Sequence, residues 1–496
     1  MKNEFMRSSG VLLHISSLPS PYGIGTLGKS AYEFADFLAD AGQTYWQMLP
    51  LSKTGVGDSP YSSVSAFAGN PYFIDIDMLI DWGLISRSEA DAFDFGENAK
   101  YVDYEKLAKN RSSLLMKAAV RTAGRFGDEL AEFCKAKAAW LEDYAIYSAA
   151  KKHFGGLMWS KWPDEGLKHH EERAIKHYKD LLEGDIERYK AVQFLFYKQL
   201  GLLREYLTGK NIKAIGDIPI YVSYDSADVW SHSELFMLSP DLAPVCVAGV
   251  PPDYFSETGQ LWGNPIYDWE KHAKTGFSWW KERISSVGSF FDVIRIDHFR
   301  GFDEYWAVKY GEATAVHGTW QKGPGKAIVD AFSEIDCKII AEDLGVMSDG
   351  VTKLLEYSGY PGMRVLEFGF DADGDVPHLP HMYVKNCVAY TGTHDNDTVQ
   401  GWIDKASDTS LARAEIYLGL NEKEGYVNGF IRGIMMSPAV IAIVPMQDIL
   451  GLGGDCRMNM PSTVGENWKW RLTDNTYGNI AESYAKTTAR YGRSRK

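Results

Sequence analysis

Eight short apolar runs recur along the chain, most ending on polar side chains and most followed by a segment with helical spacing. They are VLLHISSL (11–18), TYWQMLPL (44–51), IKAIGDIPIYV (212–222), FDVIRIDHF (291–299), CKIIAEDLG (337–345), GMRVLEFGFD (362–371), NCVAYTGTHDND (386–397) and AVIAIVPMQDIL (439–450). Apolar spacing of three to four marks helices at AYEFADFLADAG, SSLLMKAAVRTAGRF, AVQFLFYKQLGLLREYL, KAIVDAFSEI and GVTKLLEYSG. Near-continuous apolar strands alternating with helices predict a parallel sheet covered on both faces. Eight such strands favour an α/β fold of the (β/α)8 TIM-barrel type over an open doubly wound sheet. No G-x-G-x-x-G follows the first run, which argues against a dinucleotide fold. The expected organisation is one barrel over 1–496 with large, mainly helical insertions. One insertion covers 52–205, after strand 2. A second covers 223–285, after strand 3, and includes the Pro/Gly-rich aromatic loop 249–269.

The run at 291–302, FDVIRIDHFRGF, carries charges where a buried strand should carry none. Alternation puts Val293, Arg295 and Asp297 on one face and Ile294 and Ile296 on the other. Burying a charge is expensive unless it is paired, so Arg295 and Asp297 read either as a structural ion pair or as a carboxylate held ionised for chemistry. In a barrel the C-terminal strand ends converge on one site. The expected strand ends bring together Asp217, Asp297, Glu342, Asp371 and the group His394, Asp395 and Asp397.

A ring of carboxylates around one arginine serves either a metal or the cleavage of a bond. The metal reading is weak, because the chain has no HExxH and no Cys/His cluster. DADGD (371–375) lacks the downstream Glu of a calcium loop and reads as a surface turn. GLGGD (451–455) lacks a nearby Lys and reads as a plain loop. Glycoside cleavage needs an ionised carboxylate and a protonated one on either side of a sugar. Asp297 beside Arg295 suits the first, and Glu342, facing that charge in a partly dry site, suits the second. Alternation with Ile340 favours Glu342 over Asp343, and Asp395 competes with Asp397.

Composition narrows the field. A net charge of −14 in 496 residues argues against nucleic acid and against polyanionic substrates. Fifteen Trp and 28 Tyr offer flat faces with hydrogen-bonding edges, which suit a sugar ring. Five scattered cysteines without a CxxC pair read as thiols in a reducing compartment. No apolar run approaches the ~18 residues of a membrane span. The N-terminus MKNEFMRSSG reads as no secretory signal, so a cytoplasmic location is expected. Met435 and Met436 fall in an amphipathic segment and read as core. His298, on the opposite strand face from Asp297, reads as a satisfied structural histidine.

RIDHFRG, AEDLG and TGTHDNDT resemble three short segments of the 4-α-glucanotransferases called amylomaltases or disproportionating enzymes, glycoside hydrolase family 77 in the α-amylase clan. So do LLHISSLPSPYGIGTLG, GDSPYSSVSAFAGNPYF (57–73), GDIPIYV (216–222), GQLWGNPIYDW (259–269) and ENWKWR (466–471), all in order along the chain. The resemblance implies a nucleophile at Asp297, a general acid/base at Glu342 and a third carboxylate at Asp395 that stabilises the transition state. It implies substrate contacts at Arg295 and His394, an aromatic platform at Tyr61, the strand-3 aspartate at Asp217 and an acceptor-side residue at Trp262, in a loop. Asp371 and Asn467 are further implied contacts. Val56 stands where some members carry a tyrosine in an outlying glucan site, so that site is not implied here. The activity implied is transfer of α-1,4-glucan segments to a glucan or glucose by retaining double displacement, with no cofactor and no metal. The alternatives are a mainly hydrolytic α-amylase-type enzyme and a non-catalytic glucan-binding protein.

Overall fold

The structure is a computed structural model that describes residues 4–252, 256–345, 347–371 and 376–495, with only the backbone of Val56 and Thr476. Parts of the loop 249–269 and most of DADGD therefore lie outside the described residues.

Eight parallel strands form one sheet. They are β1 (Ser8–Leu12), β2 (Tyr45–Gln47), β3 (Lys213–Ile218), β6 (Val293–Ile296), β9 (Lys338–Ala341), β10 (Gly362–Val365), β11 (Cys387–Tyr390) and β12 (Ile441–Pro445). Their order is β10-β11-β12-β1-β2-β3-β6-β9, so each barrel strand lies beside its neighbours in sequence. The open edge between β9 and β10 is bridged where Ala341 N–H donates to Pro361 O at 3.0 Å. This is a (β/α)8 barrel, and all eight expected strands are in it.

The strands are shorter than the apolar runs that announced them. After β10 the run GMRVLEFGFD turns at Glu367–Phe370 into a 3-10 helix. Asp371 therefore stands six residues beyond the strand, not at its end. An apolar run cannot by itself tell a buried strand from a buried turn of helix.

A second sheet was not visible in the pattern. The strands β4 (Cys246–Val250), β5 (Gln260–Pro265), β7 (Glu304–Lys309) and β8 (Gly318–Lys322) pair antiparallel in the order β5-β4-β7-β8. Trp262 thus sits on a strand, not in the loop expected for it. The cause is local: β5 contains Gly263 at φ +78°, and its pairing with β4 shifts register between Val247 and Gly249. Apart from Gly318, β8 is exposed throughout. Neither strand carries the alternation that marks a half-buried sheet.

Between β2 and β3 lie long helices, chief among them Ser112–Ala136, Ala138–His153 and Glu183–Gly209. The last ties down the segment that follows Tyr61. Buried Gln193 donates to Gly69 O and accepts from Gly69 N–H at 3.0 and 2.8 Å. Gln199 treats Asp75 the same way at 3.1 and 2.6 Å. Two glutamines six residues apart thus act as a substitute strand edge for a chain with no ladder of its own.

At the N-terminal end of the barrel, the helix Tyr426–Met436 ends against two arginines. Arg7 donates to Met435 O and Ser437 O, each at 2.8 Å. Fully buried Arg493 donates to Met435 O (2.7 Å), Ser8 O (2.9 Å) and Ala439 O (2.9 Å). Burial holds the Arg493 guanidinium down at about 9. Met435 is buried here, but Met436 is 59% exposed, because neighbours on a helix point about 100° apart. Among the described residues no helix is long and apolar enough to cross a membrane. Replacing Arg493 by Met should lower the unfolding free energy by about 2 kcal/mol, since it strips the donor from buried carbonyls. A urea midpoint equal to that of the parent chain would contradict this role.

Candidate active site

The strand ends open into one cleft of about 1310 Å³. At its floor lies Arg295, on β6, which is buried and charged. Its Nη1 donates to both oxygens of Asp217 at 2.9 and 2.7 Å, and its Nη2 meets Asp297 Oδ1 at 2.9 Å. The register explains the first contact, because Asp217 and Arg295 are direct neighbours on β3 and β6. The second follows from the alternation read in the sequence, with Ile294 and Ile296 packed outward and fully buried. One guanidinium therefore serves two carboxylates, and the trio carries a net negative charge. Burial raises the Asp217 carboxyl above its usual range, with the two-oxygen contact to Arg295 pulling the other way.

Glu342 follows β9 and faces this trio. Leu344 N–H donates to its Oε1 at 2.6 Å, and His298 N–H donates to its Oε2 at 2.7 Å. Burial first, and the charge of Asp297 second, push its carboxyl up to about 8, against Arg295 and the two amides. Asp343 turns away from the cleft, accepting from Met363 N–H at 2.6 Å and Arg364 at 3.0 Å. Of the two acids in AEDLG, Glu342 is the one that lines the cleft.

The loop after β11 brings His394 and Asp395. The His394 ring stacks on Tyr61 at 5.0 Å and 13°, with Nε2 3.4 Å from Asp395 Oδ1. Tyr61 O–H donates to Asp217 Oδ2 at 2.7 Å, and burial raises its phenol well above the usual value. The Asp395 side chain remains 46% exposed, accepting from Asn459 Nδ2 at 2.6 Å. Asp397 also lines the cleft, but its carboxylate pairs with Lys405 at 2.5 Å.

Trp262 is 37% exposed over the cleft, its ring edge-on to His298 at 4.8 Å and 87°. Asp371 lines the cleft and accepts from Trp402 Nε1 at 3.5 Å. Asn467 lines it too, its Oδ1 accepting from Met460 N–H at 3.0 Å. Nine of the ten residues singled out in the sequence border this cleft; the tenth, Asp217, has a fully buried side chain and lies behind Arg295 and Tyr61, which it holds.

His298 was misjudged, because a left-handed backbone at φ +50° takes it off the strand alternation and into the cleft. Three further residues went unseen. Asn459 and Arg457 come from an irregular loop, where Arg457 donates to Asp395 O at 2.5 Å and Asn459 O at 2.7 Å. Glu367, just past β10, is almost fully buried beneath the cleft beside Asp448 and Asp397, and burial first, with those charges next, holds its carboxyl well above the usual range. A Glu inside LEFGF gives no sign of this beyond a charge in an apolar run. Among the described residues no three His, Cys, Asp or Glu side chains are grouped to hold a metal. Asp455, in GLGGD, pairs at the surface with Lys100.

A (β/α)8 barrel whose strand ends gather carboxylates around one arginine, under aromatic walls, has the makings of a carbohydrate-active enzyme. Residues 13–476 match the family model of glycoside hydrolase family 77, 4-alpha-glucanotransferase. A 4-alpha-glucanotransferase of Clostridium butyricum is 47% identical over 97% of this chain and all of its own. One from Streptococcus pneumoniae is 45% identical over 94% of each chain. The solved amylomaltase of Streptococcus agalactiae in complex with acarbose superposes with a TM-score of 0.95 at 41% identity, over 98% of this chain and all of that one. The chain belongs to glycoside hydrolase family 77, the 4-alpha-glucanotransferases.

Asp217→Asn would leave buried Arg295 with a carboxylate on one side only. Stability should fall by about 3 kcal/mol, read from denaturant unfolding. An unchanged midpoint would mean that the trio does not hold the floor of the site together.

Proposed function

We propose that this chain moves α-1,4-glucan segments from a donor to the 4-hydroxyl of an acceptor glucan or glucose, by retaining double displacement. Asp297 attacks the anomeric carbon while Glu342 gives its proton to the departing 4-oxygen, and a β-linked glycosyl-enzyme forms. Glu342, now a carboxylate, takes the proton from the acceptor 4-hydroxyl. That oxygen displaces Asp297 and restores the α linkage. Asp395 meets the positive charge that develops on the sugar ring, and Tyr61 and His394 present flat faces beneath it. Trp262, Asp371 and Asn467 contact the glucan along the cleft.

The observation that supports these roles is the unequal setting of the two acids. Asp297 rests on a charged guanidinium, whereas Glu342 is buried opposite it and stays protonated at neutral pH. Environments that push paired carboxyls apart assign the acid and the nucleophile. Water in place of the acceptor gives hydrolysis by the same steps, so the wall carrying Trp262 governs the partition. The five cysteines are free thiols, which suits a reducing compartment, and we place the enzyme in the cytoplasm.

The test is incubation with maltotriose across pH, following both the product ladder and total reducing ends. Transfer predicts longer glucans plus glucose or maltose at constant reducing ends. Rising reducing ends without a ladder would make the chain a hydrolase, and no change would make it a binding protein. Because Glu342 must enter the cycle protonated, kcat/KM should fall as pH rises through about 8, tenfold per pH unit. A profile flat to pH 10 would remove Glu342 from the acid role.

A further inference from the structure

Glu342 is held on both oxygens by main-chain N–H groups, and one of those groups stands on unusual backbone. His298 adopts φ +50° and ψ +50°, a left-handed conformation that residues with a Cβ avoid. The strand ends around it are laced together. Glu342 N–H donates to Ile296 O at 3.0 Å, and Phe299 N–H donates to Glu342 O at 3.1 Å. Between those two bonds the chain must leave β6, turn at His298 and enter the 3-10 helix Phe299–Phe302. The φ of residue 298 sets how the 297–298 peptide sits against that helix. An extended φ cannot keep both His298 N–H on Glu342 Oε2 and Phe299 N–H on Glu342 O.

We propose that His298 is a positioning residue for the acid/base step through its main chain: its left-handed backbone aims the N–H that fixes Oε2 of Glu342 toward the cleaved bond. The inference rests on the reading of Glu342 as the general acid/base. The imidazole has a different task, packing edge-on against Trp262 at 4.8 Å. Burial lowers it to about 4, so it is neutral while Glu342 titrates. The charged groups facing Glu342 are Asp297 and Arg295, and those facing His298 are Asp297 and Arg300. Asp343, next along the chain, is engaged by Arg364. None of them is supplied by the imidazole, so removing the ring leaves the charge around Glu342 in place.

Glycine and valine at 298 separate backbone from ring. Glycine deletes the ring yet enters the left-handed region freely, whereas valine deletes the ring and resists that region. An N–H on a carboxylate oxygen favours the charged form, so withdrawing it moves proton loss to higher pH. The experiment is kcat/KM for maltotriose against pH in the parent chain, His298→Gly, His298→Ala and His298→Val. Both extreme variants should lose activity with the lost ring. The alkaline limb should stay within about 0.3 pH units of the parent in His298→Gly and rise by about half a unit or more in His298→Val. Should the valine variant not fold, alanine carries the comparison, with its limb displaced above that of glycine. Coinciding limbs in glycine and the other variants, or a limb in glycine displaced as far as in them, would overturn the proposal. Glu342→Gln, measured alongside, keeps the two readings apart: undiminished cleavage there would sink the acid assignment itself, whatever the 298 variants do.

Discussion

Everything in the cleft is arranged about one buried arginine that has two carboxylates to satisfy. Arg295 cannot leave the floor of the barrel uncharged, because a guanidinium does not lose its proton there, and it cannot sit there unpaired. Asp217 takes two of its contacts from the neighbouring strand, and Asp297 takes one from two residues further along its own. One guanidinium shared between two carboxylates holds Asp217 through both oxygens but meets Asp297 at one oxygen. That is the condition a carboxylate needs if it is to leave its partner and bond to carbon. The charge of Asp297, facing Glu342, adds to burial in keeping the proton on Glu342.

The barrel provides this arrangement because its strands are short and in register. Arg295 on β6 and Asp297, one residue past its end, point inward together, and the equivalent level of β3 brings Asp217 alongside Arg295. The walls of the cleft come from elsewhere. Tyr61 belongs to the long connection between β2 and β3, and it can stack on His394 because the chain after it is fastened by Gln193 and Gln199. Asp395 belongs to the half-buried loop after β11 and is steadied by Asn459 and Arg457 from a second loop. A rigid floor thus carries walls built from insertions.

The floor was legible in the sequence and the walls were only partly so. Arg295 and Asp297 gave themselves away because two charges in an apolar run, two residues apart, share a face under any strand geometry. Glu342 could be preferred to Asp343 by the same alternation. Alternation also misled. It sent His298 to the outer face, since nothing in RIDHFRG signals the left-handed turn that ends β6. It placed Asp371 at a strand end, since the apolar residues of LEFGF continue through a 3-10 helix. The antiparallel sheet beside the cleft left no trace, because its edge strands are exposed or interrupted by glycine and lack a buried face to imprint a period. Asn459 and Arg457 act through a loop whose shape no local pattern encodes. What physical chemistry writes into a sequence is burial; what long-range loops do with polar side chains is not written there.

The central claim is that Asp297, released from a shared arginine, becomes bonded to the sugar. It is tested most directly by trapping that bond. A glucosyl fluoride of the substrate series, such as α-maltotriosyl fluoride, expels fluoride without help from an acid. In Glu342→Gln the acceptor step then lacks its base, so the glycosyl-enzyme should accumulate. Denaturation, proteolysis and mass spectrometry should find one maltotriosyl group on the peptide spanning 291–302, attached at Asp297. Fluoride release with the sugar on Asp395, or with no covalent adduct at all, would contradict the account.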